Sequence, residues 1–141
     1  SMAVTGAESA LCRALFRLGR YAEARQLCVD ALEVLEAEGL RRSVYGAVVI
    51  SNLGLAELQF RRYEQAEKLL WEALDLFKRA PWKDAHGRTS ELSCEPLPDD
   101  APETTAMQHR VASVLGHLGF SAENQRDFPR ALRLYNEALA L

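Results

Sequence analysis

A short segment recurs three times in this chain, and that recurrence leaves few folds open. Tyr21-Ala22-Glu23-Ala24 returns as Tyr63-Glu64-Gln65-Ala66 and again as Phe128-Pro129-Arg130-Ala131, at spacings of 42 and 65 residues. The surrounding residues keep the same offsets. Leu11, Leu53 and Leu118 correspond, as do Cys12, Gly54 and Gly119, and Ala31-Leu32, Ala73-Leu74 and Ala138-Leu139. A period of this length marks stacked repeats, each a unit that cannot bury its apolar face alone.

Within a unit the periodicity is helical. Ala24, Cys28, Ala31, Leu32 and Leu35 form one apolar stripe at 3.6 residues per turn. Short turns fall at Gly19-Arg20, Arg61-Arg62 and Arg126-Asp127. Pro129 suits the first turn of a helix, where its missing N–H costs nothing. Gly39 marks the end of one helix and Pro81 the end of another. These signals predict an all-α chain of about six helices, near 7–19, 22–38, 42–60, 64–79, 104–124 and 129–141. No segment alternates like a strand. Three units follow, at about 7–38, 42–80 and 104–141, with an insertion at 81–103. Its prolines, Gly87, Asp99 and Asp100 read as a loop, and a tolerated insertion is the simpler reading of it.

Charge and composition exclude several functions. A net charge of −3 without a basic stripe argues against nucleic-acid binding. The longest uncharged apolar run, Val44 to Ile50, is far short of the ~20 residues of a membrane span. No signal peptide is visible. Three cysteines, 12, 28 and 94, make no disulfide framework and suit an intracellular, cytoplasmic setting. Cys12 and Cys28 lie in apolar stripes as small core residues. Ser1-Met2 reads as a cloning remnant, and the helical pattern still running at Leu141 suggests a piece of a longer protein.

Leu53-Gly54-Leu55-Ala56, Tyr63-Glu64-Gln65-Ala66 and Glu72-Ala73-Leu74 resemble the tetratricopeptide repeat, and so do Leu118-Gly119, Phe128-Pro129-Arg130-Ala131 and Glu137-Ala138-Leu139. The first unit departs from the pattern, with Cys12 where the others have Gly. The 42-residue period is similar to the long-repeat variety of kinesin light chains and related scaffolds. The resemblance implies antiparallel helix pairs stacked as a right-handed α-solenoid, with a concave groove lined by the first helix of each pair. Gly54, Gly119, Ala66 and Ala131 then mark close helix crossings, and Tyr21, Tyr63 and Phe128 wedge the turns. It also implies a non-catalytic, cytoplasmic scaffold or adaptor that binds a partner protein or peptide in the groove.

The phase of the stripes selects Arg13, Phe16, Arg17, Ser51, Asn52, Leu55, Gln59, His117, Phe120 and Asn124 as groove residues, with Ser9, Val48, Leu58, Ser113, Gly116 and Glu123 beside them. Leu55, Leu58 and Phe120 have core packing as the alternative. Some relatives clamp a chaperone C-terminal carboxylate with Lys, Asn and Arg. Of the matching positions here only Asn52 has the required type, so that clamp is not expected. Trp71 is phased outward, to be covered by Trp82 or the loop or else to form a contact patch. No cofactor or metal site is expected: His86 and Cys94 lack a second ligand pair, and His109 and His117 are too far apart on their helix. The alternative function is self-association, a homodimer formed through the apolar edge of the last helix, Leu134, Tyr135, Ala138, Leu139 and Leu141, an edge that a further C-terminal helix would otherwise cover.

Overall fold

The structure, a computed structural model, describes residues 2–79 and 103–141. The readings for the inserted stretch, with Trp82, His86 and Cys94, lie outside the described residues, as does the side chain of Ser9. Six helices follow in order: α1 (Met2–Arg17), α2 (Tyr21–Ala37), α3 (Val44–Gln59), α4 (Tyr63–Lys78), α5 (Glu103–Asn124) and α6 (Phe128–Leu139). Among the described residues there is no strand. Helix ends fall within two residues of those expected, except that α1 begins five residues earlier.

The turns of the three pairs are built alike. Gly19, Arg61 and Arg126, equivalent in the repeat, adopt left-handed φ values of 73°, 59° and 61°. The next residue's N–H reaches back to a carbonyl five residues earlier: Arg20 to Leu15, Arg62 to Glu57 and Asp127 to Ala122. This Schellman closure satisfies carbonyls that a helix end leaves open. Gly39 (φ 71°), with Leu40 bonding to Leu35, closes α2 in the same way. Only glycine takes this conformation without steric cost. Arg61→Gly is therefore expected to stabilise the chain by about 0.5–1 kcal/mol, part of the relief being cancelled by glycine's freer unfolded state. A higher urea midpoint would confirm it.

Each helix packs on its neighbours in sequence. Beyond those, α1 meets α3 and α3 meets α5, while the backbones of α2, α4 and α6 stay apart. First helices thus lie close on one side and second helices splay on the other, which is a layered, curved stack rather than a closed bundle. The central helix α3 is covered from nearly all sides, with Val44 through Ile50 all buried. The outermost α6 buries only Ala131 and Leu134.

One size rule repeats across the pairs. The small position on the first helix faces the residue sixteen further on. A Cβ on Gly54 would come 2.9 Å from the Leu70 side chain, and one on Gly119 would come 2.6 Å from the Tyr135 ring. In the first pair Cys12 faces Cys28. Glycine makes room for a large partner, and where glycine is replaced the partner shrinks. Tyr21 and Tyr63 are half-buried at their turns, Tyr21 against the Phe16 ring at 5.9 Å. Phe128, expected to wedge its turn as the two tyrosines do, is exposed, because no described helix lies beyond α6.

Charged clamps join the layers. Arg25 on α2 donates to Glu57 on α3, whose other oxygen faces Arg62 at 3.5 Å. Arg41 forks onto Glu72 of α4 with two bonds of 2.8 Å. Glu67 on α4 accepts from Ser121 at 2.8 Å, Gln125 at 3.0 Å and Arg130 at 3.0 Å, joining α4, α5 and α6. Partial burial opposes the Glu67 charge, but the bonds from Arg130, Ser121 and Gln125 prevail and hold its carboxyl below the usual value of 4.5. A carboxyl that titrates lower when folded stabilises the fold above its unfolded value, and this is lost as pH falls through the native one. Between about pH 5 and 3 the wild-type chain is thus expected to lose more stability than Glu67→Gln. Urea melts at both pH values would decide it, and parallel losses would contradict the clamp.

Candidate functional site

Because α1, α3 and α5 lie side by side, their inward faces line an open-sided cavity of about 300 Å³. It takes Arg13 from α1, Val48, Ser51, Asn52 and Leu55 from α3, and His109, Arg110, Ser113, Val114 and His117 from α5, with Phe77 of α4 behind. Of the residues selected from the sequence, Arg13, Ser51, Asn52, Leu55 and His117 meet here, together with Val48 and Ser113.

The others are placed elsewhere. Phe16 packs on Tyr21. Arg17 and Gln59 are exposed last residues of α1 and α3. Phe120 is exposed, and Asn124 donates to its carbonyl at 2.7 Å, closing the end of α5. Leu58 is buried in the core, and Glu123 accepts from the Tyr135 hydroxyl at 2.9 Å, toward α6. Residues at the far end of a first helix share its inward phase, but the curved stack carries them past the cavity.

Four lining residues were not anticipated: Phe77, His109, Arg110 and Val114. His109 and Arg110 lie one turn before Ser113 on the same face of α5, so extending the period toward the N-terminus would have found them. Phe77 carried no such signal, since it belongs to a second helix. It forms apolar floor and lies 5.8 Å from the Arg110 guanidinium, a cation–π contact.

The lining combines an apolar floor of Val48, Leu55, Phe77 and Val114 with two guanidinium groups, two imidazoles, Asn52 and two hydroxyls. Among the described residues no Asp or Glu lines it. Burial holds His117 below its ordinary value of 6.5, so the ring is neutral at neutral pH. Its Nε2 lies 3.5 Å from the Ser113 hydroxyl. Among the described residues no group of three His, Cys, Asp or Glu is placed to hold a metal ion, and no helix is long and apolar enough to cross a membrane.

The tetratricopeptide-repeat family model matches residues 4–79, spanning the first two helix pairs. Among solved structures, BtubC (BKLC) from P. vanneervenii superposes with a TM-score of 0.52 at 21% identity, over 96% of this chain and 62% of that one. The chain therefore spans under two thirds of that neighbour's length, and at this identity the likeness is one of fold. No curated protein matches the sequence. The repeated small and aromatic positions, the layered helix pairs and the matched family model agree: this chain belongs to the tetratricopeptide-repeat family.

Proposed function

We propose that the chain is a protein-binding module whose concave cavity receives an acidic segment of a partner protein. Tetratricopeptide repeats as a family mediate protein–protein interaction. The observation that carries the finer reading is the lining itself, where Arg13, Arg110, His109 and His117 gather on an apolar floor. An apolar side chain fills the floor, a carboxylate meets the guanidinium groups, and Asn52 offers a donor and an acceptor to the bound backbone. Guanidinium–carboxylate pairing in a partly dry groove gives orientation and specificity more than bulk affinity.

The test is fluorescence anisotropy with a labelled peptide carrying Asp and Glu around an apolar anchor, beside the same peptide with Lys in place of the acids. The acidic peptide is expected to bind, to weaken as salt screens the charges, and to lose at least about tenfold in affinity to Arg13→Glu/Arg110→Glu. Circular dichroism of that variant should match wild type. Equal binding of the two peptides would refute the acidic preference.

A second reading rests on the outer face of α6. Leu32 and Leu74 are 8% and 3% exposed because the next pair covers them, whereas their equivalent Leu139 is 84% exposed beside Leu132 and Leu141. A second copy of the chain would cover this face, giving a homodimer. Sedimentation equilibrium distinguishes the readings: a monomer at all concentrations removes self-association and leaves the groove untouched.

A further inference from the structure

The first helix pair departs from its siblings where Cys12 and Cys28 replace the glycine–large pairing. Their sulfur atoms lie 3.2 Å apart across the α1–α2 crossing, sixteen residues apart in sequence, and both are free thiols. That separation is inside the ~3.5–4.0 Å of ordinary unbonded contacts. It exceeds a covalent S–S bond by only about 1.2 Å. A small cavity of about 10 Å³ borders both, lined also by Leu27, Ala31, Glu8 and Asn52. It is about large enough for one water-sized molecule.

We propose that Cys12 and Cys28 are a dithiol site that closes to a reversible disulfide, stapling α1 to α2, when hydrogen peroxide oxidises it. Cys12 is the attacking sulfur. Either sulfur can donate in the contact between them. The Cys28 contact and the charge of Arg13, which stands beside Cys12, favour the Cys12 thiolate against the cost of burial, while the same contact and burial disfavour a thiolate at Cys28. The Cys12 thiolate attacks one peroxide oxygen. An S–O bond forms, the O–O bond breaks, and the departing oxygen leaves as water after taking a proton. Cys28 then attacks the Cys12 sulfenic sulfur. An S–S bond forms, the S–O bond breaks, and hydroxide leaves with the Cys28 proton as a second water. In sum, two thiols give up two electrons and two protons, and one hydrogen peroxide becomes two waters. The equivalent pairs, Gly54–Leu70 and Gly119–Tyr135, have no such chemistry, so the device belongs to the first unit alone. Arg13 is the next residue to Cys12 and lines the groove, so the staple fixes the helix that forms one wall of that cavity.

The experiment treats the folded Cys94→Ser chain with hydrogen peroxide, then denatures it, alkylates remaining thiols and maps the peptides by mass spectrometry. A peptide pair joining Cys12 to Cys28 is expected, with loss of both alkylation sites. Tm is expected to rise by roughly 5 °C or more, because the bond restricts the unfolded chain. Dithiothreitol should reverse both changes. Complete alkylation of both cysteines after treatment would overturn the proposal. So would sulfinic acid at Cys12 without a crosslink, a crosslink between separate chains, or a crosslink that lowers Tm.

Discussion

Replacing Gly46 with alanine is expected to lower stability by about 3 kcal/mol, although alanine favours helix over glycine by about 1 kcal/mol. Gly46 lies in the first turn of α3, where the chain leaving α2 folds back over it. A Cβ there would sit 1.8 Å from the Arg41 carbonyl oxygen and 2.8 Å from that of Leu40. These are backbone atoms, and the backbone is held in place. The Leu40 N–H bonds the Leu35 carbonyl at 2.7 Å, the Ser43 hydroxyl donates to the Leu40 carbonyl at 2.5 Å, and the Ser43 oxygen accepts from the Gly46 N–H at 3.2 Å. Arg41 is further fixed by its fork onto Glu72. Relief would move the whole turn and break the N-cap of α3, which by itself is worth about 1 kcal/mol. Urea denaturation of Gly46→Ala is the check. A midpoint equal to wild type would show that the turn does not lie over the helix.

Replacing Arg25 with methionine is expected to cost about 2–3 kcal/mol. Glu57 is only 4% exposed, and its carboxylate is held by Arg25 from α2 and, at the longer distance of 3.5 Å, by Arg62. Removing the nearer cation leaves a buried charge with one distant partner, and breaking such a pair from one side is far costlier than replacing both groups. The value is set at the low end because Arg62 remains and Arg25 is partly solvated. The double variant Arg25→Met/Glu57→Leu is therefore expected to recover most of the loss. A double-mutant cycle by urea melts measures this directly, and additive losses would mean that the two side chains do not interact.

These two positions also show where sequence reasoning stops. Gly54 and Gly119 were legible because their small size recurs in phase with a large partner, and Ala66 and Ala131, buried at the same phase, because small size recurs there. Close helix approach is a property of local sequence plus repeat. The turns at Gly19, Arg61 and Arg126 were legible for the same reason, even though two of them carry arginine where glycine is favoured. Gly46 has no such signal: its constraint comes from the turn of Leu40 and Arg41 folding back over it, which no periodicity encodes. Glu57 has no signal either, since charge alone does not say whether a neighbouring layer supplies an arginine.

The groove divides in the same way. Arg13, Ser51, Asn52, Leu55 and His117 were found because an inward phase can be counted along a helix. Arg17, Gln59, Phe120 and Asn124 share that phase, yet the stack carries them beyond the cavity. Phase fixes direction, and only the crossing geometry of three helices fixes which inward residues converge.

The α1–α3–α5 cavity is the surface proposed to meet a partner. Amide chemical-shift mapping of the labelled chain, titrated with the acidic peptide, tests it most directly. Shifts concentrated at Arg13, Ser51, Asn52, Arg110, Ser113 and His117, and lost in Arg13→Glu/Arg110→Glu, are the predicted result. Shifts centred on the outer helices α2, α4 and α6, or the same pattern with the lysine peptide, would contradict it.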